Sequence, residues 1–136
     1  EKEDRYNGQG VKTFISPVWT LEYDICLSQL KKLFYEAVLQ AEKIQNSNEI
    51  GLTAEKIKEV NNKVQNDFNS WKAKTDECIA NQIYCGYIKD KDISKAIIAQ
   101  NFAGILKNKD RKTLESVILK DPYLKYLVDA INYACG

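Results

Sequence analysis

The chain has 136 residues, 44% apolar and 29% charged, with a net charge of +1, values that suit one folded domain able to bury its own core. Twenty Lys and Arg stand against nineteen Asp and Glu, which leaves no basic excess to attract a nucleic-acid backbone. Histidine is absent, so imidazole acid–base catalysis, Ser-His and Cys-His nucleophile pairs and His-ligated metal sites are excluded.

Uninterrupted apolar runs are short, such as Ala96-Ile97-Ile98-Ala99, far below the ~20 residues of a membrane span. The chain opens at Glu1 and holds no methionine, which reads as a mature product from which a secretory leader has been removed. No Asn-x-Ser/Thr sequon occurs.

Residues 1–15 read as an extended arm, because Gly8 and Gly10 make a helix there costly in backbone entropy. Residues 16–136 read as a single helical domain. Ser16 and Pro17 supply an N-cap and a first helical position. Trp19, Tyr23, Cys26, Leu30, Leu33, Ala37, Ala41 and Ile44 then recur at three- and four-residue steps, one helical stripe. Leu21, Tyr35 and Leu39 form a second stripe, which marks either a central helix or a partner-binding face. Asn46 to Gly51 is a turn by composition.

Thr53 caps a second helix, expected to run unbroken to Tyr84 or Cys85 and to stop at Gly86. Ile57, Val64, Trp71, Cys78 and Cys85 form an every-seventh-residue column along it. At ~1.5 Å per residue this rod is roughly 48 Å long and pairs with the first as an antiparallel hairpin. A third helix is expected near Asp92, with Ile93, Ala96, Ile97 and Ile105 inward. Gly104 inside it signals local weakening or a close neighbouring backbone. Asp110 caps a fourth segment carrying Leu114, Val117 and Ile118, and Asp121-Pro122 restarts the helix toward Leu127, Ala130, Ile131 and Ala134. No strand alternation persists. The class is all-α: a disulfide-stapled bundle of four to five helices built on a long antiparallel hairpin.

Cys26, Cys78, Cys85 and Cys135 are separated by 52, 7 and 50 positions, which disfavours the closely paired thiolates of a zinc site and favours two disulfides in an oxidising compartment. On an intact helix Cys78 and Cys85 lie about 10 Å apart, too far to bond. In an unbroken hairpin folding back near residue 49, Cys26 is level with residue ~72, nearer Cys78 than Cys85. The preferred pairing is therefore Cys26–Cys78 and Cys85–Cys135, each worth roughly 4 kcal/mol in the chain-entropy account.

Asp76-Glu77 and Asp90-x-Asp92 read as solvated helix-end charges rather than catalytic or calcium-binding carboxylates. No catalytic residue, cofactor site or metal site is identified, and an enzyme is not expected. Candidate partner-binding residues are Tyr35, the group Tyr84, Tyr87, Lys89 and Lys91, and the basic turn Lys107, Lys109, Arg111 and Lys112, since aromatic and basic side chains dominate binding hot spots.

Trp19-x6-Cys26, the Cys78-x6-Cys85 pair and the Ala134-Cys135-Gly136 ending make the chain similar to the anopheline mosquito salivary inhibitor family of the anophensin and albicin type. That resemblance implies a secreted monomer that binds a host plasma protein and blocks the alternative complement convertase or plasma contact activation, with no nucleic acid or membrane as partner. The alternative is a carrier of small hydrophobic ligands resembling insect odorant-binding proteins, from whose Cys-x3-Cys pair this chain departs.

Overall fold

The structure is a computed structural model that describes residues 21–47 and 51–125. The arm over residues 1–15, the Ser16-Pro17 cap, Trp19, residues 48–50 of the turn, and Leu127 to Cys135 lie outside the described residues. Among those described there are six α-helices, one π-helical segment and no strand.

The first expected helix is two helices, α1 (Leu21–Leu27) and α2 (Lys31–Ser47). Ser28 makes the break. Its hydroxyl donates to the carbonyl of Ile25 at 2.7 Å and accepts from the amide of Leu30 at 3.0 Å, giving the backbone partners that compete with the helix ladder. The amide of Gln29 is taken by Asp121 Oδ2 at 2.8 Å. Asp121 is itself buried and also accepts from the amide of Tyr123 at 2.9 Å.

The second expected helix is likewise divided, so the 48 Å rod does not exist. Thr53 caps α3 (Ala54–Ser70) as read, accepting from the amide of Lys56. After Trp71 the chain turns, and Thr75 caps α4 (Asp76–Ile83) by accepting from the amide of Cys78 at 3.2 Å. Asp76 and Glu77 in its first turn complement the positive helix end. The restart resets the helical phase. Beyond it the inward residues are Ile79, Ala80, Ile83 and Tyr84, while Cys78 is exposed and Cys85 half-buried.

Both breaks lie at one level, bridged by an ion pair between Lys31 Nζ and the Asp76 carboxylate. On one side α1 runs antiparallel to α4, where the Tyr23 hydroxyl donates to Asn81 Oδ1 at 3.1 Å and its ring meets Tyr84 edge-on at 5.8 Å. On the other, α2 and α3 are joined by Lys43–Glu59 at 3.0 Å.

Gly86 does not stop the chain. It sits inside a π-helical segment, Tyr84–Lys89, where the amide of Asp90 reaches back five residues to the carbonyl of Cys85 at 3.1 Å. Asp92 then adopts φ 49°, a left-handed conformation that Asp tolerates better than most residues. The Gln45 carboxamide clamps this corner, donating to the Asp92 carbonyl at 2.9 Å and accepting from the Ser94 amide at 2.8 Å. Ser94 rather than Asp92 is therefore the cap of α5 (Lys95–Lys107).

Helix α5 packs along α2, with Phe34 meeting Phe102 edge-on at 5.2 Å. Ile93, Ile98 and Ile105 are buried, and Ala96, expected inward, is exposed. A side chain added at Gly104 would meet nothing within 4 Å, so no backbone passes close there. Asp110 caps α6 (Arg111–Lys120) as read, accepting from the Thr113 amide at 3.1 Å. No residue of α6 is fully buried; Leu114, Val117 and Ile118 pack half-buried against the core.

Central position explains the second stripe on the first helix. Helix α2 contacts α1, α3 and α5, and Phe34, Tyr35, Ala37, Val38, Leu39 and Ala41 are all buried. Leu21, the third member of that stripe, is exposed.

Two outcomes are expected. Asp121→Ala removes an acceptor from two backbone amides and should cost about 3 kcal/mol in urea unfolding, with Asp121→Asn recovering part of the loss. Cys26, Cys78 and Cys85 are free thiols in this structure. Burial pushes the Cys26 thiol far above the usual thiol range, with Glu22 adding to the shift and Lys31 opposing it. Because the thiolate is the reactive form, iodoacetamide should alkylate Cys78 of the reduced native protein first and Cys26 only on unfolding, as mass spectrometry of tryptic peptides would show.

Candidate functional site

The first group of candidate residues surrounds Tyr35. Its ring contacts Phe68 at 5.8 Å, Trp71 at 5.2 Å and Tyr87 at 5.3 Å between centroids, distances at which tilted and edge-on aromatic pairs attract. The Tyr35 hydroxyl donates to Asp67 Oδ2, and the same carboxylate pairs with Lys63 at 3.1 Å. Lys63 and Lys91 lie over the Tyr87 ring at 5.7 and 4.6 Å. Lys91 also pairs with Glu42 at 2.9 Å.

This is a self-satisfied box. Each cation in it has a carboxylate or a ring face, and each carboxylate has a cation or a hydroxyl, so the charges cancel locally. The π-helical turn is what carries Tyr87 into the box, since the five-residue step rotates the segment after Tyr84 relative to α4. Burial raises the Tyr35 hydroxyl far above its ordinary value, with the hydrogen bonds to Asp67 and Tyr87 adding to it. Lys63 is raised as well, chiefly by its hydrogen bond with Tyr87.

The tyrosines proposed as partner contacts are therefore reassigned. Tyr35 is completely buried and Tyr84 lies beneath Tyr23, so neither reaches a partner. Tyr87 and Lys91 belong to the box, and Lys89 remains exposed. The sequence reading missed Lys63, Asp67, Glu42 and Gln45. The four-residue spacing of Lys63 and Asp67 was a usable signal; the contacts of Glu42 and Gln45, 47 to 49 positions away, had none.

The basic turn is a different surface. Lys107, Lys109, Arg111 and Lys112 are all exposed at the junction of α5 and α6. Arg111 is tied to Glu115 at 2.9 Å, and Asp110 to Thr113, whose hydroxyl and amide hold the Asp110 carboxyl below its usual range. Lys107 and Lys112 form no ion pair among the described residues. Beside the turn runs a groove of about 330 Å³ lined by Leu30, Leu33, Leu114 and Val117 on its apolar side and by Gln29, Lys109, Asp110 and Thr113 on its polar side. Further along α6, Leu119 is 62% exposed. Uncommitted cations thus flank the turn whose Lys109 lines the apolar groove.

No group of three or more Cys, Asp or Glu side chains able to hold a metal is found among the described residues, and no helix among them is long and apolar enough to cross a membrane.

The buried tyrosines of the box and of the α1–α4 pair have a pH signature. The folded-state values of Tyr35 and Tyr23 are raised above 10.0, the ordinary value for tyrosine. Above that pH the unfolded chain loses protons that the folded chain keeps, so stability falls as pH rises. Urea unfolding at rising alkaline pH should show this decline, and Tyr35→Phe should flatten it while costing about 1 kcal/mol at neutral pH. In comparisons with known proteins, no family model, no curated protein and no solved structure matches this chain.

Proposed function

We propose that this chain is a secreted salivary-type inhibitor, not an enzyme, that binds a host plasma protein and blocks the alternative complement convertase or plasma contact activation. The observation that supports the reading is the edge at α5–α6. Lys107 and Lys112 are unpaired among the described residues, and Lys109 between them lines an apolar groove with Leu30, Leu33, Leu114 and Val117. A basic rim steers association with an acidic partner, while apolar contacts at its centre supply the affinity. The helices beneath provide rigidity, so little entropy is lost on ordering this surface.

Secretion as a monomer and two disulfides among the four cysteines belong to the same proposal. In the oxidised protein they would staple a helical scaffold whose thiols are free in this structure. Peptide mapping without reductant tests that part directly.

Inhibition is tested by titrating the oxidised protein into complement-lysis and contact-activation assays, with a fluorescent fatty-acid displacement assay alongside. Inhibition in one of the first two, without fatty-acid uptake, is the expected result. The double variant Lys107→Glu, Lys112→Glu should weaken it about tenfold, or about 1.4 kcal/mol, with an unchanged melting temperature. Saturable fatty-acid uptake without inhibition would replace this reading with that of a carrier.

A further inference from the structure

A second cleft, farther along α2, has a different chemistry. About 400 Å³ in volume, it is lined by Glu36 and Gln40 of α2, Ile57 of α3, Gln100, Asn101, Gly104 and Ile105 of α5, and Asn108 and Lys109 just after it. It continues into a groove of about 320 Å³ that shares Gln40, Ile57, Gln100 and Asn101 and adds the aliphatic side chains of Ile44, Leu52 and Ile97. One end is therefore rich in carboxamide and carboxylate oxygens, with one ammonium, Lys109, at its margin, and the other is apolar.

Glu36 is the group that stands out. It sits half-buried on the central helix, and its carboxylate makes no hydrogen bond or close ion pair among the described residues. Burial shifts its pKa upward, favouring the neutral acid, and the Lys109 ammonium that lines the same cleft opposes that shift. A half-buried carboxylate with no hydrogen bond is costly; Lys109 offsets only part of that cost, and a ligand supplying a charged donor in direct contact would relieve more of it. Asn101 spends its Nδ2 on the Ile97 carbonyl at 2.9 Å, which leaves Oδ1 as a further acceptor. Gly104 leaves open space in the wall, where a side chain would meet nothing within 4 Å.

We propose that this cleft binds a small primary ammonium carried on an apolar chain or ring, with the ammonium on Glu36 and the carboxamide oxygens and the apolar part against Ile44, Leu52, Ile57 and Ile97. An ammonium offers three donors and no acceptor, which matches an oxygen-lined end; the aliphatic end accepts a ring or short chain by burial alone. The proposal does not rest on the inhibitor reading.

Isothermal titration calorimetry of the whole chain with 2-phenylethylamine, and with 2-phenylethanol as its neutral counterpart, tests it. The amine should bind saturably and the alcohol about tenfold more weakly or worse, the scale of one charge-assisted hydrogen bond. Glu36→Gln should weaken the amine about tenfold and leave the alcohol unchanged. Lys109→Ala removes the competing cation and should tighten the amine, a change of opposite sign that a merely structural effect would not give. Gly104→Leu should block both ligands while keeping the fold, since leucine favours the helix more than glycine; a melt by circular dichroism checks that. No heat with the amine, equal affinity for amine and alcohol, or an affinity indifferent to Glu36→Gln would each overturn the proposal.

Discussion

A buried carboxylate, Asp121, sets the geometry on which the other helices rest. It receives the amide of Gln29 across 92 positions of sequence and the amide of Tyr123 two residues on. With Ser28 occupying the neighbouring backbone groups, the break between α1 and α2 has the part-buried amide of Gln29 satisfied, and leaving it without an acceptor would cost more than the bond itself contributes. The partner break between α3 and α4 lies beside it, closed by Thr75 and joined through Lys31 and Asp76. Two helical pairs, α1 with α4 and α2 with α3, can then meet at an angle instead of running on as one straight hairpin.

Around that bend the molecule separates its polar groups into three kinds of environment. The Tyr35 box is closed, with its cations over rings and its carboxylates paired; its role is to seat the π-helical turn on the core. The basic turn is open and leaves Lys107 and Lys112 uncommitted. The Glu36 cleft lies between, a half-buried carboxylate facing carboxamides. The proposed binding surfaces are the second and third environments, where no hydrogen bond or close ion pair already holds Glu36, Lys107 or Lys112 among the described residues.

Much of the local structure was legible. Thr53 and Asp110 act as the caps that their positions announced, since a side chain that accepts an amide three residues on needs only local sequence. The second stripe on the first helix allowed a central helix or a partner-binding face, and the burial of Tyr35 and Leu39 favours the central position for α2. The candidate sites were less legible. Tyr35, Tyr84 and Tyr87 were offered as contacts on residue type alone, and an aromatic residue serves a core as readily as an interface. Glu36 carried no signal, for one acid on a mixed helix face looks the same whether or not a cleft opens above it.

What the sequence by itself determined was the helical class, where α3 and α6 begin, and that no histidine-dependent chemistry is possible. Each follows from short-range spacing or from composition. Tertiary structure alone decided where the two long periodic segments break, and hence which way the later residues face. The apolar spacing runs through Ser28 and reaches Trp71 without interruption, because a few non-helical residues can leave an apolar pattern intact while turning the axis. Only Asp121 arriving at Gln29, and α4 restarting at Thr75, reveal that the seven-residue column ends at Trp71 and that Cys78 faces solvent while Cys26 lies in the core.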